Sequence, residues 1–402
     1  MRLNLGIIFG GRSVEHEISI ITALQCIESI DQERFHIIPI YLAKNGKWYS
    51  GPELFDLNNF RNLDWLTSKS REVVVNQSVG ASELWLMPKH FFQSKKVLKV
   101  DLLFPITHGT FGEDGTLQGL FETMNVPYVG CNPLASAISM DKVATKYLLA
   151  ALGVKALDYF WFYNNQWFED KTEVLNRIKD KLAYPLIVKP VTLGSSIGVS
   201  VANDDLRLEQ AIDLAARLSG KILIEPKINN LKEINCAVLG DNYEVEVSVC
   251  EEPLATGDIL SYQDKYGSGG FDKAGGVKKF KGLKNAGANK LQGAMSDASR
   301  KIPADITKQL SDHIREIAKK VFIGLGCSGV VRFDFLLDQD SNELYLCEMN
   351  AIPGSLAFYL WEATGKKYPE LLESLFNLAM KKHRETNNLI TSYDKNILKT
   401  WG

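Results

Sequence analysis

Two stretches near the end of the chain decide its fold: Val330-Val331-Arg332-Phe333-Asp334-Phe335-Leu336-Leu337 and Tyr345-Leu346-Cys347-Glu348-Met349-Asn350. Each alternates apolar and polar residues, which is the period of a half-buried strand. The segment between them is rich in turn-forming residues, so the two strands are predicted to form a hairpin. A three-residue loop at Asp340 would place Asp334 opposite Glu348 and Arg332 opposite Asn350, with all four side chains on one face.

The polar face of this predicted hairpin gathers two carboxylates, an amide and an arginine. Asp334, Glu348 and Asn350 suit a hard cation, because Mg²⁺ takes such oxygen ligands together with substrate phosphates. Arg332 beside them suits a phosphate in transfer or a developing oxyanion. The alternative is a salt-bridged surface hairpin, and taken alone the hairpin residues leave both interpretations open.

Length, charge and cysteine content bound the class of protein. The chain has 402 residues, enough for two or three domains. Its net charge of −2 gives no reason to expect binding to nucleic acid or to a membrane surface. No apolar run approaches a membrane span. The six cysteines are scattered and form no C-x-x-C pair, which favours buried thiols in a reducing compartment. A cytoplasmic protein is therefore expected.

The order of predicted elements indicates an α/β first domain followed by α+β units. A strand at 3–9, a glycine turn, a helix at 15–30 and a strand at 35–42 predict a Rossmann-like parallel sheet. The first domain is predicted to span 1–135, with an irregular insertion at about 44–99 on its edge.

The rest of the chain is predicted to form two further units and a polar tail. The boundaries are 136–224 for the central unit, 225–383 for the C-terminal unit and 384–402 for the tail. Segment 264–302 is rich in glycine, alanine and lysine and lacks the apolar mass to pack. We expect a mobile basic lid that closes over phosphates, and the alternative is a disordered surface insertion.

A lysine and a glycine–serine loop form the second candidate site. Lys189 ends a predicted strand, and a lysine so placed needs an anionic partner. The loop that follows contains Gly194 and Ser195 and can cradle a phosphate through its backbone N–H groups. Glu225 ends another predicted strand, where a carboxylate can bind adenine or ribose, although alone it is better explained as a solvated surface residue.

Two further polar residues lie just past predicted strands of the first domain. Glu15 follows the first strand, and His108 follows a later one. Ligands of α/β sheets bind at the carboxyl ends of the strands, so both residues are candidates for substrate contact.

Seven motifs follow one another in a fixed order along the chain. They are Gly10-Gly11-Arg12-Ser13-Val14-Glu15-His16-Glu17, His108-Gly109-Thr110-Phe111-Gly112-Glu113-Asp114-Gly115-Thr116-Leu117-Gln118-Gly119, Ser139-Met140-Asp141-Lys142, Val188-Lys189-Pro190 with Gly194-Ser195-Ser196, Asp264-Lys265-Tyr266, Arg332-Phe333-Asp334, and Glu348-Met349-Asn350 with Pro353-Gly354. Together they resemble the D-alanine–D-alanine ligases of the ATP-grasp superfamily over nearly the whole chain. The resemblance implies a Rossmann-like N-terminal domain followed by a two-lobed ATP-grasp fold, assembled as a homodimer.

The resemblance also implies an activity and a set of residues. The activity is ATP-dependent ligation of two D-alanines through an acyl phosphate, for peptidoglycan precursor synthesis. ATP would be held by Lys142, Lys189, Glu225, Lys227 and Glu233. Two Mg²⁺ ions, with Mn²⁺ as the alternative metal, would be held by Asp334, Glu348 and Asn350. Catalysis would involve Glu15, Ser195, Tyr266, Arg332 and Gly354. The D-amino-acid substrates would contact His108, Lys265 and Ser355.

Within that set, the resemblance gives each catalytic residue a role. Arg332 and the backbone N–H of Gly354 would stabilise the oxyanion of the tetrahedral intermediate. Glu15 would bind the ammonium of the first substrate, the donor. Glu15, Ser195 and Tyr266 would link the closed lid to the site, and closure would keep water from the acyl phosphate.

The segment after Gly354 departs from the family pattern. The ligases usually carry a longer segment there, in which a serine and the following apolar residue hold the carboxylate of the second substrate. Segment 355–361 is shorter, and Ser355 is the candidate to replace that serine. The alternative function is therefore ligation of D-alanine to a different acceptor, such as a hydroxy acid or another amino acid, or ligation of a different pair of amino acids.

Overall fold

The computed structural model describes residues 2–90, 93–254 and 300–392. Lys265, Tyr266 and most of the predicted lid lie outside the described residues, as does most of the predicted tail. Helix α11, described below, extends to Asn387 and so takes in the start of that tail.

A seven-stranded sheet forms the N-terminal part of the fold. Its strands are β1 (Leu3–Gly10), β2 (Phe35–Leu42), β3 (Trp48–Ser50), β4 (Arg71–Val75), β5 (Glu83–Leu86), β6 (Lys96–Lys99) and β7 (Leu102–Ile106), in the order β6-β5-β4-β3-β2-β1-β7. The strands β2, β1 and β7 are parallel, as the sequence predicts for a Rossmann-like unit. Beyond β7, Tyr128 adds a single parallel bridge to Leu103.

The expectation of an irregular insertion at 44–99 is wrong. The strands β3 to β6 lie in this segment and extend the sheet by antiparallel pairing. They bury Val73, Leu84 and Leu86 in one cluster with the parallel strands. Each strand has only three to five residues, which is too short for a period of two to stand out from the sequence.

Helices flank the sheet and lead into the central unit. They are α1 (His16–Ser29), α2 (Leu63–Lys69), α3 (Thr116–Met124), α4 (Pro133–Met140) and α5 (Lys142–Ala151). Asp141 separates α4 from α5 and caps the latter, accepting from the N–H groups of Val143 and Ala144. This cap fixes the first residue of α5, Lys142, at the edge of the site.

The central unit is a four-stranded antiparallel sheet covered by helices. It contains β8 (Phe160–Tyr163), β9 (Leu186–Pro190), β10 (Ser200–Ala202) and β11 (Lys221–Pro226), with α6 (Asn164–Glu169), α7 (Lys171–Lys179) and α8 (Asp205–Leu218). Lys189 pairs with Leu223, so Glu225 lies diagonally across from it on the same face of the sheet.

The C-terminal unit contains a second four-stranded antiparallel sheet, β13-β12-β16-β17. Its elements are β12 (Leu231–Gly240), β13 (Val245–Val247), β14 (Glu252–Pro253), β15 (Arg300–Lys301), α9 (Lys308–Leu325), β16 (Gly329–Asp338), β17 (Glu343–Asn350), α10 (Phe358–Thr364) and α11 (Tyr368–Asn387). Phe322 of α9 is buried in one cluster with Phe333 and Phe335 of β16, so the polar face of this sheet is directed away from α9.

The last helix joins this unit to the N-terminal sheet. Phe376 of α11 packs edge-on against Phe35 and Phe104, with ring centroids 4.9 and 5.4 Å apart. Among the described residues, no helix has both the length and the apolar character needed to cross a membrane.

The hairpin of β16 and β17 has the predicted pairing but a different turn. Arg332 lies opposite Asn350, and Asp334 lies opposite Glu348. Four residues, 339–342, connect the strands instead of the three expected. The pairing is restored by an irregularity after Asp334, where Phe335 faces Leu346 and Cys347 is the extra residue of a β-bulge.

The bulge explains which residues of β17 are buried. Leu346 and Met349 are both at most 4% exposed although they are three residues apart, a spacing that simple alternation places on opposite faces. Because the bulge shifts the alternation by one, both reach the apolar face while Glu348 and Asn350 stay on the polar one.

Two adjacent glycines, at the end of β1 and just after it, allow a test of how closely β1 and β2 approach each other. Both Gly10 and Gly11 have positive φ angles, of 91° and 104°. A Cβ on Gly10 would lie 2.4 Å from the carbonyl oxygen of Leu42, whereas one on Gly11 would meet nothing within 4 Å.

We expect Gly11→Ala to lower the free energy of unfolding by about 1 kcal/mol, the cost of the left-handed conformation. Gly10→Ala should lower it by roughly 2 kcal/mol more, because a steric clash is added. Urea unfolding of both variants measures the difference, and equal losses would contradict the close approach of β1 and β2.

Candidate active site

Two adjoining cavities lie between the N-terminal, central and C-terminal units. The Arg332 cavity encloses about 1190 Å³ and the Lys189 cavity about 890 Å³, both open to solvent. The residues that line both are Lys142, Leu193, Glu233, Asp334 and Glu348. The two cavities therefore meet at the polar face of the predicted hairpin.

Charge on the hairpin face is balanced by two cations. Arg332 donates through Nε to Oδ1 of Asp334 at 2.7 Å and through Nη2 to Oδ2 at 2.8 Å, a two-pronged pair. Asn350 donates through Nδ2 to the same Oδ2 at 3.0 Å. Glu348 lies 3.3 Å from Nζ of Lys142, which comes from the central unit.

The side chains of this face fit a magnesium site. Asp334, Glu348 and Asn350 bring hard oxygen atoms to one face, and both carboxylates border both cavities. Within 2–90, 93–254 and 300–392, no group of three or more His, Cys, Asp or Glu could hold a metal. Mg²⁺ needs only one or two carboxylates when waters and substrate phosphates complete its shell, so the two present suffice.

A buried carboxylate that borders the Lys189 cavity is paired with two lysines. Oε1 of Glu225 lies 2.6 Å from Nζ of Lys146, and Oε2 lies 2.6 Å from Nζ of Lys189. Burial alone would raise the pKa of Glu225, but the two lysines outweigh it and lower that pKa to about 2. Glu225 is thus ionised and is not the solvated surface residue that its position in the sequence favours when taken alone.

Lys146 was not among the predicted site residues. It borders neither cavity but pairs with Glu225, which lines the Lys189 cavity. It lies one turn after Lys142 on α5, is 5% exposed, and also donates to the carbonyl oxygen of Leu157 at 2.9 Å. The available signal was its position on the same helical face as Lys142.

Glu15 and Ser195 both line the Arg332 cavity and are in contact. Ser195 donates its hydroxyl hydrogen to Oε1 of Glu15, and both side chains are buried. A Cβ on Gly194 would lie 2.7 Å from Oε2 of Glu15, and one on Gly109 would lie 3.0 Å from it. Glycine is therefore required at both positions for the two loops to close on this carboxylate.

His108 lies at the wall of the same cavity in its neutral form. Its Nε2 is 3.2 Å from Oγ1 of Thr22. Burial is the main cause that lowers the pKa of His108 to about 4, and Arg332 acts in the same direction. At neutral pH the ring therefore carries no positive charge.

Glu113 also lines the Arg332 cavity, although no role was predicted for it from the sequence. Its Oε1 accepts from the N–H of Ile352 at 3.0 Å, and its Oε2 accepts from the N–H of Gly109 at 3.2 Å. Burial and the neighbouring Glu15 raise the pKa of Glu113 to about 8. This side chain ties the loop of His108 to the segment before Gly354.

The segment after Gly354 forms a tight left-handed turn. Ser355, Leu356 and Ala357 have φ angles of 50°, 54° and 51° and are buried. Ser355 donates through Oγ to Oε1 of Gln25 at 2.7 Å, and through its N–H to Oγ1 of Thr22 at 3.3 Å. Helix α1 thus holds this turn in place.

A polar cluster that the sequence did not suggest also lines the Arg332 cavity. Glu251 accepts at Oε1 from Nδ2 of Asn235 and from the hydroxyl of Tyr359, each at 3.1 Å. Its Oε2 lies 3.2 Å from Nη1 of Arg300. The guanidinium carbon of Arg300 lies 3.9 Å from the centre of the Tyr359 ring.

Every described residue of the predicted site borders one of the two cavities. The Arg332 cavity is bordered by Glu15, His108, Lys142, Ser195, Glu233, Arg332, Asp334, Glu348, Asn350, Gly354 and Ser355. The Lys189 cavity is bordered by Lys142, Lys189, Glu225, Lys227, Glu233, Asp334 and Glu348. Their individual roles remain predictions, and Lys265 and Tyr266 lie outside the described residues.

Two antiparallel sheets with nucleotide-suited lysines between them, preceded by a Rossmann-like sheet, define an ATP-grasp protein. Comparison with known proteins narrows this class. The family model for the N-terminal part of D-Ala–D-Ala ligases matches residues 4–131, and the model for the C-terminal part matches 148–293 and 288–377. The chain belongs to the D-alanine–D-alanine ligase family.

The chain is similar to curated relatives and to solved structures over almost the whole length of each. The D-alanine–D-alanine ligase of Thermosipho melanesiensis is 38% identical over 99% of this chain and 98% of its own. That of Acetivibrio thermocellus is 34% identical over 97% and 98%. The ligase of Coxiella burnetii superposes with a TM-score of 0.76 at 28% identity, covering 100% and 99%. The VanG D-Ala:D-Ser ligase of Enterococcus faecalis gives 0.75 at 28% identity, covering 94% and 100%.

Removing Lys146 should affect both stability and nucleotide binding. We expect Lys146→Met to lower the free energy of unfolding by about 3 kcal/mol, because Glu225 stays buried with one partner fewer. It should also weaken ATP binding several-fold, since Glu225 then draws Lys189 more strongly. The matched control is Lys155→Met, which removes an exposed partner of Glu343 and should change little. Urea unfolding measures the change in stability, and calorimetric titration with ATP measures the change in affinity. If Lys146→Met and Lys155→Met give the same two values, the role given to Lys146 is contradicted.

The lowered pKa of His108 predicts a loss of stability in acid. The neutral ring is favoured in the folded state, so its contribution is complete above pH 6.5 and is lost as the pH falls towards 4. Between pH 7 and 4.5 the wild type should lose roughly 2 to 3 kcal/mol more unfolding free energy than His108→Gln. The exposed His36→Gln should behave as wild type in the same urea titrations. A pH dependence unchanged in His108→Gln would sink this assignment.

Proposed function

We propose that the chain is an ADP-forming ligase that joins two D-alanines into D-alanyl-D-alanine, for peptidoglycan precursor synthesis. The observation that carries the proposal is the meeting of the two cavities at the hairpin of Arg332, Asp334, Glu348 and Asn350. A nucleotide in one cavity can there pass a phosphoryl group to a carboxylate in the other.

The reaction would proceed in two steps. The carboxylate oxygen of the donor D-alanine attacks the γ-phosphorus of ATP, forming an acyl phosphate and releasing ADP. The amino group of the acceptor then attacks the acyl carbon, the bond from that carbon to the phosphate oxygen breaks, and phosphate and one proton leave. Each step exchanges one bond for another, and no oxidant or reductant is needed.

The residues of the Lys189 cavity suit the nucleotide. Lys189 and Lys142 would hold the phosphates, with Glu225, Lys227 and Glu233 near the base and ribose. Lys189 is already oriented by Glu225, so phosphate binding requires no search among its rotamers. Two Mg²⁺ ions, or Mn²⁺ in their place, would be held by Asp334, Glu348 and Asn350 and would neutralise the charge that develops on the phosphates.

The residues of the Arg332 cavity suit the two amino acids. Glu15 would bind the donor ammonium, and His108 would lie near the donor carboxylate. Arg332 and the N–H of Gly354 would stabilise the oxyanion of the tetrahedral intermediate. Ser195, held by Glu15, would connect the donor site to Tyr266 in the segment beyond the described residues. The N–H of Ser355 or its hydroxyl would lie near the acceptor.

The proposal also covers the cellular location and the oligomeric state of the enzyme. The scattered cysteines support a reducing, cytoplasmic location: among the described residues all six are free thiols. A homodimer is proposed from the family resemblance alone, and sedimentation equilibrium would test it.

A different acceptor is the second candidate function. The solved VanG structure is described as a D-Ala:D-Ser ligase, so this fold serves more than one acceptor. The family resemblance puts the choice of acceptor in the segment after Gly354, which in this chain forms the short turn at Ser355–Ala357. A panel of acceptors with D-alanine as donor separates the candidates, and preference for D-alanine would remove the second.

The main test is D-alanine-dependent ADP release by the purified chain with ATP and Mg²⁺, with the dipeptide identified by mass spectrometry. L-Alanine should give no product. The absence of ADP release above background with D-alanine would overturn the proposal.

Glu348→Gln is the sharpest variant for this test. It removes one charge from the hairpin face and should lower kcat at least about a hundredfold, since charge compensation at the phosphates is worth several kcal/mol. Stability should change little. Glu343→Gln lies on the same strand but pairs with the exposed Lys155, and it should keep full activity. Equal activity of the two variants would contradict the metal assignment of Glu348.

A further inference from the structure

One wall of the Arg332 cavity takes no part in the reaction as described so far. It consists of Glu251, Arg300 and Tyr359, together with Asn235. These residues come from β12 and the segments around β14, β15 and α10, whereas Glu15 and His108 come from the N-terminal sheet. This wall therefore comes from a different part of the fold than the predicted donor contacts.

The wall is built to hold one guanidinium in a fixed plane. Glu251 is 2% exposed and receives hydrogen bonds from Asn235 and Tyr359, which fix its carboxylate. That carboxylate contacts Arg300 at 3.2 Å, while the ring of Tyr359 lies against the guanidinium at 3.9 Å. Stacking on one face and an ion pair at one edge leave little freedom to the group.

The acceptor brings a charge that the cavity must compensate. Its amino group reacts, but its carboxylate does not, and a carboxylate moved out of water needs a cation or several donors. Lys142 and Arg332 contact Glu348 and Asp334, at the border with the Lys189 cavity. Arg300, like Arg332, borders only the Arg332 cavity, but its partner Glu251 also borders that cavity alone, whereas Asp334 borders both. Among the described residues lining this cavity, Arg300 is therefore the cation whose ion pair lies away from the Lys189 cavity.

The turn after Gly354 supplies no such charge. Ser355 is 1% exposed, and its hydroxyl and N–H contact Gln25 and Thr22 of helix α1. It can offer hydrogen bonds at most. Among the described residues, a cation for this carboxylate must therefore come from another part of the Arg332 cavity; Lys265, the other predicted substrate contact, lies outside them.

We propose that Arg300, held in place by Glu251 and Tyr359, binds the carboxylate of the acceptor substrate and selects acceptors that carry one. The inference rests on the proposed function and extends it by one binding residue. The chemical class it defines is a small 2-amino or 2-hydroxy acid, because Arg300 recognises the carboxylate and not the attacking group. A planar guanidinium matches a carboxylate through two parallel hydrogen bonds.

The experiment compares two nucleophiles that differ in this carboxylate. With ATP, Mg²⁺ and D-alanine as donor, the acyl phosphate is attacked either by a second D-alanine or by added hydroxylamine. Hydroxylamine forms a C–N bond, displaces phosphate and yields D-alanine hydroxamate, which is quantified separately from the dipeptide. It carries no carboxylate and makes no demand on Arg300.

Arg300→Met should lower kcat/KM for the acceptor D-alanine by roughly 10- to 100-fold, the range of one charge-assisted hydrogen bond. The loss should appear in the acceptor KM, and hydroxamate formation should stay at the wild-type rate. Arg300→Lys should recover part of the loss, because it keeps the charge without the planar fork.

Lys301→Met is the matched control. Lys301 is the next residue on β15, and its Nζ lies 3.9 Å from Glu252 and 3.8 Å from Asp305 at the surface. It should leave both products unchanged. If Arg300→Met lowers dipeptide and hydroxamate equally, or lowers neither, the proposal is overturned.

A further measurement uses the wild type alone, so it does not depend on whether the Arg300 variants fold. D-Alaninamide keeps the amino group of the acceptor and replaces its carboxylate by a neutral amide. Its kcat/KM as acceptor should be roughly 10- to 100-fold below that of D-alanine, and equal use would overturn the role of Arg300. A wild type that forms neither ADP nor hydroxamate would instead refute the proposed function, so the two failures are distinguishable.

Discussion

The structure depends on holding two carboxylates face to face on neighbouring strands. Asp334 and Glu348 are directly paired across β16 and β17, where their mutual repulsion opposes strand pairing. Arg332 neutralises the first from the same strand, and Lys142 neutralises the second from the central unit. The charge of one hairpin is thus balanced by a residue from the central unit, 206 positions before Glu348 in the chain, and this contact links the central and C-terminal units at the site.

The same arrangement recurs in both cavities. Glu225 joins Lys146 and Lys189, and Glu251 joins Arg300 to Tyr359, so each buried acid orients a base without leaving the cavity strongly charged. Such pairs add little to stability, because desolvation offsets their attraction. Their contribution is to fix long, flexible side chains before a ligand arrives, which reduces the entropy lost on binding.

The sequence predicted what depends on local pattern and missed what depends on distant contacts. Alternation put Arg332 and Asn350 on one polar face, and an assumed three-residue turn paired them. The turn has four residues, and the bulge at Cys347 restores the pairing. The short strands of 44–99 were missed, since three to five residues carry no clear period. Lys146 resembled any lysine of an amphipathic helix, and Glu251 resembled a solvated acid beside Glu252. Their partners are 79 and 49 residues away, at Glu225 and Arg300, and no pattern within a short window reveals that distance.

The bulge at Cys347 separates the hairpin into two independent parts. On the site side, Asp334 and Glu348 keep one register, while on the turn side Asp338 and Glu343 keep another. A change in the length of the exposed turn can be absorbed where the register already shifts, without rotating the carboxylates to the apolar face. The turn at 339–342 is therefore a place where a peptide tag or a fluorescent label could be inserted while the active face keeps its geometry.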